Sequence, residues 1–203
     1  MKHRWITDRG LWLESRACTL GLKQKIEAAA LPEVEAVVPG DGSLLVVLQP
    51  GQGAGPVLLD LINKAQPDAS LEVLGRHHEI PVIYGGDAGP DLERVADAAG
   101  LTTSQAVELH AGAQYRVAFL GFQPGFAYLA GTPTPLQTAR RSAPRARVPA
   151  GSVALGGMYT GIYPGTSPGG WLLIGRTREW VFDPLRKPPA RFTPGDHVRF
   201  VPR

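Results

Sequence analysis

The sequence predicts an α+β protein with two domains, a ferredoxin-like-type α+β domain at residues 1–84 and an all-β domain at residues 85–203. In the first half, strand and helix patterns alternate in an order that resembles a β-α-β-β-α-β sandwich. In the second half, glycine and proline are concentrated after Tyr84, which is typical of short strands joined by many turns. A chain of 203 residues is long enough for two small domains.

Hydrophobic periodicity and turn residues define the elements of the first domain. Strands are predicted at 11–14, 34–38, 44–48, 71–74 and 79–83, and helices at 15–30 and 55–65. The second and third of these strands flank residues 40–43, Gly-Asp-Gly-Ser, which is a hairpin signal. The segment 84–90, with Gly-Gly-Asp in its middle, is predicted to be the hinge between the domains.

The second domain is predicted to begin with two short helices and to continue as strands. Asp91 is a good N-cap for the first helix, and Thr102 or Thr103 is a good N-cap for the second. Strands are predicted at 117–119, 153–155, 172–175 and 198–201, separated by long loops rich in glycine and proline. Because loops of this length in a folded domain are usually functional, we expect the site among them.

Composition excludes several classes of protein. The net charge of +3 is too small for the basic stripe of a nucleic-acid-binding domain, and no stretch is long and apolar enough to cross a bilayer. The N-terminus lacks the apolar segment of a signal peptide. Cys18 is the only cysteine, so no internal disulfide can form. We therefore expect a cytoplasmic protein with no nucleic-acid or membrane partner.

One familiar motif is excluded on chemical grounds, and the sequence patterns of two other kinds of site are lacking. Residues 165–169 match the G-x-S-x-G elbow of serine hydrolases, but Pro168 has no N–H to serve as the oxyanion donor. The five histidines show no i, i+4 pairing with another ligand, so we expect no metal site. The chain has no G-x-x-x-x-G-K-[ST] phosphate loop, so a nucleotide site would be of another kind or shared with another chain.

An arginine-rich segment is the leading candidate for substrate binding. Arg140, Arg141 and Arg145 can each hold a carboxylate or phosphate through the planar fork of the guanidinium group. Pro144 and Pro149 stiffen this loop and so lower the entropy cost of holding the forks in place. The alternatives are a solvated basic face and, because interleaved aromatic residues are lacking, less favourably a nucleic-acid patch.

Glycine-rich loops around this segment supply further candidates. Glycine allows close backbone approach, and polar side chains at the loop tips can orient a small ligand. The candidates for substrate binding are Tyr128, Tyr159, Thr160, Tyr163 and Ser167, with the backbone amides of Gly169 and Gly170 as oxyanion donors. His110 ends a predicted helix, where it is either a capping cation or the acid–base residue of the site.

Several long motifs together resemble one family, that of the 5-oxoprolinase B subunits, also called allophanate hydrolase subunit 1 or the Kip-I-type family. The motifs are PGFAYL, ARRSAPRARVPAGSVALGG, TGIYP, SPGGW, IGRT, IPVIYGGDAGPDLE and FDP…PGDHVRFVP. The resemblance covers nearly the whole chain and is weakest before about Leu71. It implies an N-terminal α+β domain followed by a cyclophilin-like β-barrel. One departure is Tyr159, where relatives often have glutamine.

The resemblance also implies a function. The chain would be one component of an ATP-dependent 5-oxoprolinase, which hydrolyses the cyclic amide 5-oxo-L-proline to L-glutamate. It would act with a C-type subunit, itself a barrel protein, and with a third, A-type subunit, and would be inactive alone. ATP, accompanied by Mg²⁺, would bind at a site shared with the partner. Arg140, Arg141, Arg145 and His110 would be the catalytic residues.

Two other functions stay open at this level. The same fold could bind and inhibit a sporulation-type histidine kinase without any chemistry of its own, because interface residues and site residues both favour loops. The chain could also be a carboxyltransferase-like subunit of a urea carboxylase or allophanate hydrolase system. The Met-Lys pair that accepts biotin is lacking apart from the first two residues, so biotin would have to arrive on another chain.

Overall fold

The fold is described for residues 1–15, 18–65 and 75–203 of a computed structural model. The chain divides into two units, Met1–Leu74 and Gly75–Arg203. The boundary therefore lies earlier than the one expected between residues 84 and 85. The reason is that the strand His77–Tyr84, assigned from sequence to the first domain, is hydrogen-bonded along its length to strands of the second unit.

The first unit is a four-stranded antiparallel sheet covered by two helices. Its elements are β1 (His3–Trp5), β2 (Gly10–Glu14), α1 (Thr19–Ala28), β3 (Val34–Gly40), β4 (Ser43–Leu48) and α2 (Pro56–Asn63). The strand order within the described residues is β1-β2-β4-β3. Alternate residues of β4 are buried and pack against Leu22 and Ile26 of α1 and Leu58 and Ile62 of α2. This period-2 burial is what fixes which face of the sheet the helices cover.

The predicted α+β character and the β3–β4 hairpin are confirmed, but the edge of the sheet differs. At one edge of the sheet β1 pairs with β2, although no strand was predicted at residues 3–5. The strand predicted at 71–74 lies outside the described residues. The strand predicted at 79–83 belongs to the second unit, because Ile80 and Val82 are buried in the core of that unit.

The second unit is a closed seven-stranded barrel, which confirms the predicted β-barrel domain. Its strands are β5 (His77–Tyr84), β6 (Tyr115–Leu120), β7 (Ala127–Ala130), β9 (Ser152–Gly156), β10 (Tyr159–Ile162), β12 (Leu172–Arg176) and β13 (His197–Pro202). They close in the order β10-β7-β6-β13-β5-β12-β9. Neighbours are antiparallel except β5 and β13, which are parallel. Two further strands, β8 (Arg145–Val148) and β11 (Ser167–Gly169), form a separate antiparallel ribbon.

Two helices, α3 (Leu92–Ala98) and α4 (Thr103–Gly112), lie between β5 and β6 and pack on the barrel core. Helix α4 begins with a capping box, in which Thr102 Oγ1 accepts from the Gln105 N–H and Gln105 Oε1 accepts from the Thr102 N–H. For α3, the predicted N-cap residue is in place but the capping hydrogen bond is not made. Asp91 occupies the N-cap position, but its carboxylate makes no capping hydrogen bond, because barrel and arginine groups bind it instead.

Candidate functional site

A buried aspartate, Asp91, holds the arginine segment against the barrel. Its Oδ2 accepts the Leu173 N–H at 2.7 Å, and its Oδ1 accepts from Arg145 Nη2 at 2.8 Å and lies 3.6 Å from Arg141 Nη1. The Asp91 N–H also donates to Leu173 O at 2.9 Å. The start of α3 is thereby bound to β12, and two of the three predicted arginines are fixed on one carboxylate.

The backbone of the arginine segment is fixed by the β8–β11 ribbon. Arg145 pairs with Gly169, and Ser167 pairs with Val148, with a register shift between the two pairs. At the start of the segment, the Arg141 N–H donates to Gly170 O at 2.7 Å. The glycines predicted as oxyanion donors therefore lie directly beside the predicted arginines.

Seven aromatic rings adjoin this ribbon, and we call them the aromatic cluster. They are Phe119, Phe122, Phe126, Tyr128, Tyr159, Tyr163 and Trp171, joined by ring-centroid distances between 4.3 and 6.1 Å. The guanidinium carbon of Arg140 lies 5.8 Å from the Trp171 ring centroid, within the range of a cation–π contact. The third predicted arginine is thus held at the cluster by an aromatic face rather than by a carboxylate.

The electrostatics of the cluster favour a neutral phenol next to cations. Burial raises the pKa of Tyr163 above its ordinary value, although a hydrogen bond with the Trp171 backbone and the charges of Arg140 and Arg145 act in the opposite direction. At neutral pH the phenol therefore keeps its proton. The hydroxyl of Tyr163 also lies against Gly169, where a side chain would collide with it.

Two buried hydrogen-bonding atoms on the ribbon have no partner. Within residues 1–15, 18–65 and 75–203, Arg145 Nη1 and Ser167 Oγ are buried and have no hydrogen-bond partner, as is also true of Gln123 Nε2 and Thr132 Oγ1 outside the ribbon. Buried polar atoms in proteins are normally paired, so such atoms call for an explanation. Of the two residues on the β8–β11 ribbon, Arg145 is bound through Nη2 to the carboxylate of Asp91. The arrangement is suited to binding a small anion that also accepts a hydrogen bond.

The structure buries the side chains of His110 and Thr160 inside the protein. His110 is fully buried in α4, where its ring stacks on Phe200. Thr160 Oγ1 donates to Ala154 O at 3.0 Å, so it accepts the proton of His110 Nε2 at 3.1 Å. Nδ1 in turn accepts from the Tyr84 hydroxyl at 2.8 Å. Both ring nitrogens are therefore satisfied inside the protein.

This burial changes the chemistry of His110. Loss of solvation lowers the pKa of His110 to about 3, so the ring is neutral at physiological pH. The predicted acid–base residue and the predicted substrate-binding Thr160 are thus both part of the barrel interior. Tyr159, one residue earlier, packs edge-on against Tyr128 in the aromatic cluster. The remaining predicted residues lie in or beside the ribbon and this cluster.

A cleft beside β12 was not predicted from the sequence. It has a volume of about 720 Å³, and its lining includes Asp87, Tyr163, Arg176, Arg178, Trp180 and Phe182. We call it the β12 cleft. The segment Ile174–Thr177 is one of the motifs that resemble the family. No sequence pattern indicated that it lines a cleft together with residues 180–182. Tyr163 belongs both to this cleft and to the aromatic cluster, so the two features adjoin.

The described part of the chain has neither a membrane-spanning helix nor a cluster of metal ligands. None of its helices has the length and apolar character needed to cross a membrane. In the same residues, no group of three or more histidine, cysteine, aspartate or glutamate side chains is arranged to hold a metal ion.

Comparison with known proteins gives consistent matches. A family described as "Carboxyltransferase domain, subdomain C and D" matches residues 8–192. The Escherichia coli O157:H7 protein named as the B subunit of 5-oxoprolinase is 48% identical over 177 residues, which cover 85% of this chain and 80% of that protein. The crystal structure of the protein TTHA0988 superposes with a TM-score of 0.80 at 37% identity. That match covers 96% of this chain but only 40% of the other.

A more distant likeness concerns the fold alone. The crystal structure of the urea amidolyase of K. lactis matches 99% of this chain and 15% of its own length, with a TM-score of 0.74 at 19% identity. The family match and the identity to the E. coli protein, by contrast, extend over most of the sequence. The chain therefore belongs to the family of proteins built from carboxyltransferase subdomains C and D, together with the proteins named as B subunits of 5-oxoprolinase.

Proposed function

We propose that this chain is the B-type subunit of a cytoplasmic ATP-dependent 5-oxoprolinase, which hydrolyses 5-oxo-L-proline to L-glutamate. The observation that carries the proposal is the cluster of Arg141 and Arg145 on Asp91, with Arg145 Nη1 and Ser167 Oγ buried and unpartnered within the described residues. The substrate is a small lactam with one carboxylate, which such a cluster can bind. The name of the 48% identical E. coli protein supports the same activity.

The reaction requires activation of the lactam. Transfer of the γ-phosphoryl group of ATP to the lactam oxygen releases ADP and makes the ring carbon electrophilic. Water adds to that carbon and the ring C–N bond breaks, which gives an acyl phosphate and a free amine. A second water molecule then hydrolyses the acyl phosphate to the carboxylate and phosphate. In sum, 5-oxoproline, ATP and two molecules of water become glutamate, ADP and phosphate. Catalysis of such a step depends on positioning and on neutralising the phosphoryl charge.

The residues of the ribbon fit these tasks. Arg145 Nη1 and Ser167 Oγ can donate to the substrate carboxylate or to the phosphorylated oxygen. Arg140, held over Trp171, can supply a further positive charge. Tyr128 and Tyr163 form an aromatic wall for the ring. Asp91 is a positioning residue, because it acts through the two arginines that it binds.

The proposal includes a hetero-oligomer. A barrel protein of the C type and a third, A-type subunit would complete the enzyme, and the chain alone would be inactive. An exposed apolar side chain in the aromatic cluster supports a partner there. Phe122 is 60% exposed and has a positive φ of 68°. A strained, exposed aromatic residue of this kind is typical of a functional surface.

A second candidate function is carboxyl transfer. The family description names a carboxyltransferase domain, and a carboxylated small molecule is also an anion that the arginines could bind. A kinase inhibitor of the sporulation type would use the same exposed surface without chemistry. The three functions predict different results in assays of the same purified complex.

The test is reconstitution with the partner proteins. The chain is co-expressed with its candidate barrel partner and the third protein of the complex, and glutamate and ADP are measured with 5-oxoproline and ATP. We expect coupled formation of both products by the complex and none by this chain alone. Consumption of carboxybiotin without glutamate formation would favour carboxyl transfer. Kinase binding without either activity would favour the regulator.

A further inference from the structure

The β12 cleft is lined by two arginines whose terminal nitrogens have no partner within the described residues. Arg178 is exposed and makes no hydrogen bond or ion pair with any described residue. Arg176 makes one hydrogen bond within the described residues, from Nε to Ala150 O at 3.1 Å, which leaves both terminal nitrogens available. Two nearby arginine forks lining one cleft form a site for a polyanion such as a chain of phosphates.

Two other arginines near the cleft are occupied. Arg191 Nη1 donates to Glu179 Oε2 at 2.7 Å, and the Arg186 guanidinium lies 4.1 Å from the Trp180 ring centroid. These contacts hold Trp180 and the backbone around it in place. Arg176 and Arg178 differ from them in having no acidic or aromatic partner in the described structure.

The remaining lining is suited to a planar ring system with polar substituents. Trp180, Phe182 and Tyr163 contribute aromatic surface, and Asp87 contributes a carboxylate that can accept from hydroxyl or amino groups. The cleft volume of about 720 Å³ falls in the range of small-molecule sites, roughly 300–1,000 Å³. A ligand that carries phosphates, an aromatic base and a sugar hydroxyl is a nucleotide.

We propose that the β12 cleft binds a nucleoside triphosphate, with Arg176 and Arg178 on the phosphates, the aromatic wall against the base and Asp87 accepting from the sugar or base. This inference rests on the proposed function, which requires ATP but does not locate it. The shared residue Tyr163 places the cleft next to the arginine cluster proposed for the lactam. A donor phosphate and an acceptor lactam would therefore occupy neighbouring positions.

Binding of ATP tests the inference directly. Isothermal titration calorimetry measures ATP binding to the full chain and to its complex with the partner proteins. We expect Arg178→Ala to raise the Kd by on the order of 10-fold or more, the loss associated with hydrogen bonds between charged groups. Arg94→Ala is the matched control, because Arg94 is an exposed arginine that does not line the cleft. It should leave the Kd unchanged.

Enzyme kinetics separate this inference from the proposed function. In an active complex, Arg178→Ala should raise the KM for ATP and leave the KM for 5-oxoproline unchanged. If the Arg178→Ala complex forms glutamate with an unchanged KM for ATP, the nucleotide site is overturned and the proposed function stands. A raised KM for 5-oxoproline alone would overturn it too, because the lactam would then occupy the cleft. If the complex binds nucleotide in a way that depends on Arg178 but never forms glutamate, the nucleotide site stands and the proposed 5-oxoprolinase activity is rejected. Absence of nucleotide binding by chain and complex would reject the inference.

Discussion

The buried histidine in α4 should make the stability of this protein depend on pH in a defined way. The pKa of His110 is about 3 in the folded chain, against 6.5 for an exposed histidine, because burial disfavours the charged ring. A lowered folded-state pKa means that the unfolded chain binds the proton first. The stabilisation is therefore complete above pH 6.5 and is lost as the pH falls towards 3.

The size of the effect follows from the shift. Each pH unit between the two pKa values changes the free energy of unfolding by about 1.4 kcal/mol. At pH 4.5, about two units below the unfolded value, the loss is therefore on the order of 3 kcal/mol. That is a large part of the roughly 5–15 kcal/mol by which natural domains are stable.

Urea unfolding of wild-type chain and of His110→Gln, followed by circular dichroism from pH 7.5 to 4.5, measures this effect. Glutamine retains a donor and an acceptor but does not take up a proton in this range. We expect the variant to be less stable at pH 7.5 and its pH slope to be smaller by about 1.4 kcal/mol per unit. His3→Gln, on the exposed strand β1, is the control and should retain the wild-type slope. An identical slope in His110→Gln and wild type would refute the reasoning.

Further predictions concern Asp91 and two glycines. Asp91→Ala should lower the free energy of unfolding by about 2–4 kcal/mol, because it leaves a buried N–H and a half-buried guanidinium without their acceptor. A loss below about 1 kcal/mol in urea unfolding would contradict this. Gly151→Ala should cost more than Gly157→Ala in thermal unfolding. Both glycines have positive φ, 79° and 64°, but only the methyl group at 151 would overlap the Thr177 carbonyl. Equal losses would contradict that explanation.

Local patterns predicted most of the elements but not all of their partners. The hairpin of β3 and β4 and the strands β6, β9, β12 and β13 were expected within a few residues, because alternation and turn residues are local signals. The strand β5 was also recognised, yet it was assigned to the wrong unit. Its parallel partner β13 begins more than a hundred residues later, at His197, and nothing local encodes that pairing.

Residue chemistry identified the arginines but not what positions them. Arginine forks in a proline-stiffened loop can be recognised from sequence alone. Asp91 was interpreted as a helix cap, since its contact with Arg145 exists only once α3 and the β8–β11 ribbon are folded together. The sequence allows His110 to be either a capping cation or an acid–base residue, because its enclosure by Tyr84, Thr160 and Phe200 depends on contacts between distant elements.

The central claim is that the arginine cluster on Asp91 binds and activates the lactam. It is tested most directly by the rate of ATP-coupled glutamate formation in the reconstituted complex carrying Arg145→Ala, with Arg145→Lys and Arg94→Ala alongside. Loss of one charge-stabilising donor should lower kcat/KM by on the order of 10²–10³-fold in Arg145→Ala, with partial recovery in Arg145→Lys and wild-type activity in Arg94→Ala. Wild-type kcat/KM for a folded Arg145→Ala complex would contradict the account.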